Sequence, residues 1–185
     1  MPDNRLAHLQ RNFERYLSVQ WRSGISPMER VLFCVYDRDS ERALRKTFDE
    51  FRLRAVAAQH EWHEFDLTDT YAEWLGKLEY AERYFTKPRY LPKAYPQYRA
   101  WLVQRFAAFA KTIPNPDNTV VALRGVGSLY GILRVREVID EFAPLVSGRL
   151  AVFFPGTYAN DNYHLLDQHD GWNYLAVPIT SEQQF

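Results

Sequence analysis

The sequence predicts an α/β fold, a three-layer α/β/α arrangement around a largely parallel sheet. First, Val31-Leu32-Phe33-Cys34-Val35-Tyr36 is an apolar run too short for a helix and rich in β-formers, so it reads as a buried strand. Second, capping residues and an amphipathic segment follow it, which makes the start of a βα unit. Third, the same strand, cap and helix order recurs along the chain, and strands alternating with helices imply a sheet covered on both faces. A length of 185 residues, 46% of them hydrophobic and 25% charged, fits one domain over 1–185.

The elements follow in order. Leu6, Leu9, Phe13 and Leu17 recur at spacings of three and four, placing an amphipathic helix over about 4–19 with Arg5, Arg11, Glu14 and Arg15 on its solvated face. Ser23-Gly24-Ile25-Ser26-Pro27 breaks it before the first strand. Asp37, Asp39 or Ser40 can cap the next helix, on which Ala43, Leu44, Phe48 and Phe51 share a face. Trp62 to Leu67 is a second strand, and Thr68 or Asp69 caps a helix with Tyr71, Trp74, Leu75 and Leu78. A further helix runs from Tyr98 to Lys111, and Pro114 and Pro116 end it. Thr119 to Leu123 is a strand entering Gly125, Gly127 and Gly131 ahead of a helix over Ile132–Phe142. Leu150 to Phe154 is a strand, and Tyr174 to Ile179 is an edge strand of either direction, reached through a polar loop with no helix.

Charge narrows the function classes. Twenty-three basic and 23 acidic residues cancel, which removes the long-range field of a general nucleic-acid binder. The distribution is uneven: Lys77 to Arg105 holds seven basic residues against two acids, whereas Pro155 to Phe185 holds four acids and no lysine or arginine. Two segments of opposite sign suit ordered docking. The single cysteine, Cys34, lies in an apolar run and fits a reducing, cytoplasmic setting. Neither a signal peptide nor an uninterrupted apolar span is present, so no membrane association is expected.

Several constellations carry residue types that chemistry uses. The turn Arg124-Gly125-Val126-Gly127-Ser128 could offer backbone N–H groups to a phosphate, but it lacks the adjacent lysine of a Walker A loop. Its glycines then serve close packing, with Gly127 as the position where a methyl group should lower stability. Asp37-x-Asp39 after a strand resembles the first motif of haloacid-dehalogenase-type phosphatases, but the partner motifs are missing and helix capping accounts for both aspartates. His60 and His63 straddle a strand entry, which separates them across its faces and argues against a metal site. Tyr158, His164 and His169 sit with Asp167 and Asp170 in a loop lacking a nucleophile. Tyr80 to Trp101 interleaves seven aromatics with Lys87, Arg89, Lys93 and Arg99, a composition shared by protein interfaces and base-stacking strips; the interface is favoured.

Arg30-Val31-Leu32-Phe33-Cys34-Val35-Tyr36-Asp37, His60 to Thr68, Thr119 to Gly131, Val152-Phe153-Phe154-Pro155-Gly156-Thr157-Tyr158, Leu165-Leu166-Asp167 and Gly171 to Ile179 together resemble the BrxB family of bacterial BREX anti-phage systems, from about Glu29 to Thr180. The resemblance implies a degenerate nucleotide-binding α/β fold without its Walker A lysine. It also implies a non-enzymatic accessory role beside a DNA methyltransferase, an ATPase and the alkaline-phosphatase-like protein PglZ, and it supplies no catalytic residue, metal or cofactor. The expected function is therefore docking of a BREX partner, PglZ above all. Tyr90, Tyr95 and Tyr98, or Tyr158 and Tyr163, are the candidate contacts. The alternative is a nucleotide or nucleic-acid ligand at the strand ends, on Asp37, Arg124, Gly125, Gly127 and Ser128.

Overall fold

The computed structural model describes residues 2–166 and 171–182. These form a mixed α/β fold of seven α-helices and a seven-stranded sheet. The parallel part of the sheet has the order β2-β3-β4-β1-β7, built from β1 (Val31–Tyr36), β2 (Glu61–Asp66), β3 (Thr119–Arg124), β4 (Arg149–Ala159) and β7 (Val177–Ile179). β1 lies against β4 with Val31 opposite Leu150 and Tyr36 opposite Pro155. The last strand is thus an edge strand, and its direction is parallel. β4 runs on past the sheet and pairs antiparallel with β5 (Asn162–Leu165), which pairs with β6 (Trp172–Asn173).

Side-chain alternation sends the central strands' residues into two apolar clusters. Leu32, Cys34, Tyr36, Val120, Ala122, Ala151 and Phe153 meet Leu6, Leu9, Phe13 and Leu17 of α1 (Pro2–Leu17). The same cluster takes in Leu44 of α2 (Glu41–Lys46) and Phe48, Phe51 and Ala55 of α3 (Phe48–Ala57). Val31, Phe33, Val35, Val121, Leu123, Leu150, Val152 and Phe154 meet residues of α4 (Thr70–Gly76), α6 (Tyr95–Ala110) and α7 (Val135–Phe142). Each buried Leu or Phe contributes on the order of 1.5–3 kcal/mol, so both faces hold the sheet in place.

The structure departs from the sequence expectations at particular residues. The helix expected around Ala43 to Phe51 is two helices, because the Thr47 hydroxyl bonds back to the Ala43 carbonyl at 3.0 Å and the chain bends there. Asp37 caps a 3-10 turn, Arg38–Ser40, by accepting the Asp39 N–H at 3.0 Å, while neither Ser40 nor Asp69 gives its following helix a side-chain cap. The stretch Tyr80 to Ala94 contains α5 (Ala81–Thr86) and a 3-10 segment, Pro88–Ala94. α7 starts at Val135, three residues later than expected, because a 3-10 turn over Val126–Leu129 follows the glycine. The polar loop after β4 is in part a hairpin, turning on Asn160 and Asp161 with φ of 51° and 60°. Among the described residues no helix is long and apolar enough to cross a membrane.

Candidate functional site

Two regions collect the residues singled out above. The first lies where the parallel strands end. From β1 the chain leaves towards α2 and α3 on one face, and from the neighbouring β4 it leaves towards β5, whose Tyr163 and Leu165 belong to the cluster on the other face. Divergence of adjacent strands opens a crevice at their carboxyl ends. A cleft of about 490 Å³ lies there, lined by Arg5, Leu6, Leu9, Asp37, Arg38, Ser40, Thr157, Tyr158 and Ser181 among others. A second recess of about 260 Å³ adjoins it across Tyr36, Arg38 and Leu166, and is lined by Glu41, Arg45, Thr68, Gly125, Gly127 and Ser128.

The glycine turn is held by its own neighbours. Gly125 has φ of +74°, and a Cβ there would come within 2.5 Å of Thr68 Oγ1 and 2.8 Å of Asp66 Oδ1. Asp66 Oδ1 in turn accepts the Thr68 N–H at 2.9 Å and the Thr68 hydroxyl at 2.6 Å. The Ser128 hydroxyl has two main-chain carbonyls within reach, Gly125 at 2.7 Å and Leu67 at 3.0 Å. Arg124 lines neither recess. Its guanidinium sits 3.4 Å from Glu64 and from Asp66 and lies over the Phe48 ring at 4.6 Å. The close approach that demands glycine is at Gly125; at Gly127 a Cβ would make only an ordinary 3.4 Å contact with Pro155. Asp37 and Tyr158 therefore share one recess, while Gly125, Gly127 and Ser128 share the other.

The arginines of these recesses have carboxylate neighbours. Arg5 approaches Asp37 at 3.9 Å, Arg38 approaches Asp39 at 3.8 Å, and Arg45 holds Glu41 at 2.7 Å. Tyr36 donates to Glu41, and burial together with that bond raises its phenol well above the ordinary range. Tyr158 donates to Asp161 at 3.0 Å. Desolvation and then that bond raise its phenol as well. Asp167, His169 and Asp170 lie outside the described residues.

The second region is the excursion between α4 and α6. None of the α5 residues is buried, and Tyr80 and Phe85 are 66% and 64% exposed. Arg99 is paired with Glu137 and Glu141, and Arg105 with Glu73, whereas Lys77, Arg83, Lys87, Arg89 and Lys93 form no ion pair among the described residues. Arg89 and Lys93 flank the half-buried Tyr90 ring at 5.0 and 5.7 Å. Tyr95 is half-buried too. Tyr98 is a correction: it is fully buried, with its hydroxyl 2.8 Å from that of Thr70, and offers nothing to a partner. Tyr163 is likewise buried, donating to the Ala176 carbonyl at 3.1 Å. Tyr80 and Phe85 stand out only once the structure shows them exposed, while Tyr84 packs against the core.

His60 and His63 have separate partners. The His60 ring nitrogens lie 2.7 Å from Asn118 Oδ1 and 2.9 Å from the Leu17 carbonyl, and its ring stacks on Trp21 at 3.8 Å. His63 faces Glu61 at 3.9 Å. Among the described residues no group of three or more His, Cys, Asp or Glu side chains could hold a metal ion.

A family model described as BREX protein BrxB matches residues 64–179, more than half of the chain. The chain belongs to the BrxB family. It is therefore a component of a BREX defence system, and the matched part runs from the end of β2 to β7. α1, β1, α2 and α3 precede it, so Asp37 and Arg5 lie outside the match while the glycine turn and the α5 excursion lie within it. No curated protein and no solved structure matches the chain.

Proposed function

We propose that this BrxB-family protein is a non-catalytic, cytoplasmic member of a BREX assembly that docks a partner protein, and that the partner is PglZ. The stretch from Lys77 to Lys93 carries the proposal: it exposes Tyr80 and Phe85 and holds five cations that have no ion pair among the described residues. Aromatic anchors ringed by charge are the composition of a protein-binding surface, and the charge favours an acidic face on the partner. In this view the scaffold is a three-layer α/β/α fold of degenerate nucleotide-binding type. Its support is the pair of apolar clusters flanking the sheet and a strand-end glycine turn without a lysine.

The groups that would act as nucleophiles argue for a non-catalytic role. Asp37 accepts the Asp39 N–H as a cap and lies 3.9 Å from Arg5, the Ser128 hydroxyl is turned to main-chain carbonyls, and burial raises the Cys34 thiol far above its usual range. The test is co-expression with PglZ and capture at low and high salt. A complex should form, Tyr80→Ser with Phe85→Ser should weaken it by about tenfold or more through faster dissociation, and Lys87→Glu with Arg89→Glu should slow association at low salt. Failure to recover any complex at low salt overturns the docking proposal.

A further inference from the structure

We propose that the cleft at the carboxyl ends of β1 and β4 binds an uncharged nucleoside-class ligand, a flat ring carrying a vicinal diol, with Asp37 receiving the diol. The inference is independent of partner docking, since the cleft lies on α1, β1 and β4 and the docking surface on α5.

Position comes first. Crevices where adjacent parallel strands send their chains to opposite faces are where open α/β sheets bind small molecules, because no helix covers the strand ends there. At about 490 Å³ the cleft is within the ordinary range for small-molecule sites. Its lining is divided: Leu6 and Leu9 of α1 give an apolar side, and Thr157 and Tyr158 bring hydroxyls and an aromatic ring. An apolar side beside an aromatic ring suits a flat heterocycle, which gains from stacking whatever its edge pattern.

Charge then decides the class. Arg5 and Arg38 lie 3.9 and 3.8 Å from Asp37 and Asp39, and Glu182 adds a third acid to the lining, so these side chains offer a polyphosphate no net positive charge. A neutral ligand requires none. Asp37 is suited to a diol: Oδ1 takes one N–H, from Asp39, and the carboxylate as a whole has about four acceptor positions. Its side chain is half exposed at the mouth, so a pair of hydroxyls can reach it from solvent.

The experiment is titration calorimetry of the full chain with adenosine, guanosine, cytidine and uridine, then with the 2′-deoxy form of whichever binds, ribose, and ATP. The expected result is saturable binding to one site by at least one nucleoside and loss of about tenfold or more in affinity for its 2′-deoxy form, as removal of a recognised hydroxyl produces. Ribose should be much weaker and ATP no tighter. Asp37→Asn keeps the cap acceptor and should weaken the nucleoside by a comparable factor. The deoxy comparison uses the unaltered chain and so does not depend on that variant folding. No saturable heat with any of the four nucleosides overturns the proposal. So does equal affinity for the deoxy form, undiminished binding by Asp37→Asn, or ATP binding more than about tenfold tighter than its nucleoside.

Discussion

At Gly125 the backbone is left-handed, and a Cβ would come within 2.8 Å of both Asp66 and Thr68, so two independent costs fall on any side chain placed there. A left-handed Ala costs roughly 1–2 kcal/mol, and its methyl group would also push into Thr68 Oγ1 and N, which the Asp66 carboxylate holds. Gly125→Ala should therefore destabilise by at least about 2 kcal/mol in urea unfolding. Gly127→Ala, which meets Pro155 at ordinary contact distance, should change stability by less than about 1 kcal/mol. Glycines in a strand-to-helix turn reveal that something approaches closely, but which of them is approached depends on the turn from β2, some 60 residues away in the chain. A result in which Gly127→Ala is the more damaging change would contradict this account of the turn.

Among the elements, α1 and α5 are opposite cases. α1 lays Leu6, Leu9, Phe13 and Leu17 on the sheet, and its Asn12 side chain donates to the Thr180 carbonyl at 2.8 Å, beside the last strand. Phe13 is fully buried, with the Phe51, Trp62 and Phe153 rings at 5.4, 6.2 and 6.4 Å. Truncation to Phe13→Ala should cost about 3–5 kcal/mol, while Leu53→Ala on the exposed side of α3 should stay within about 0.5 kcal/mol of wild type. Equal effects of the two changes in chemical denaturation would mean that α1 is not seated on the sheet. This helix was legible in the sequence because its spacing of three and four residues is a local property. The central strands were legible for the same reason: continuous apolar runs need no knowledge of their neighbours. α5 was not, since a six-residue helix is too short to establish a period, and it buries no residue fully. The extension of β4 into a hairpin was missed because Gly156 to Ala159 carries no apolar run. Its pairing depends on the Asn160-Asp161 turn and on Tyr163 reaching the core. Of the site, Asp37 and Tyr158 were named from the sequence as separate features. The cleft that joins them exists only through strand order, and it adds Arg5, which helical periodicity alone assigns to solvent.

Across the whole molecule, aromatic side chains fill two clusters on the faces of the sheet, and their buried phenols make stability sensitive to alkaline pH. Burial raises the phenols of Tyr36, Tyr98, Tyr163 and Tyr174 above the ordinary value of 10.0, and carboxylate acceptors raise two of them further, Glu41 at Tyr36 and Asp140 at Tyr174. In the unfolded chain these phenols ionise near pH 10, whereas in the folded protein they keep their protons to higher pH. Above pH 10 the unfolded state therefore binds fewer protons than the native state, and stability must fall as pH rises. Below about pH 9 both states hold the phenolic protons, so this contribution is constant there. The expected outcome is a denaturation midpoint insensitive to these groups up to about pH 9 and declining above pH 10, with phenolate absorbance rising in two steps. The first step should come from phenols that solvent reaches, and the buried set should follow only as the fold is lost. Tyr174→Phe removes one raised phenol together with its bond to Asp140, 2.9 Å long, so its stability should fall less steeply above pH 10 than that of the wild type. Complete phenolate titration while near-ultraviolet circular dichroism stays native would show that the buried tyrosines are reached by solvent, and that the two aromatic clusters do not close around the sheet as described.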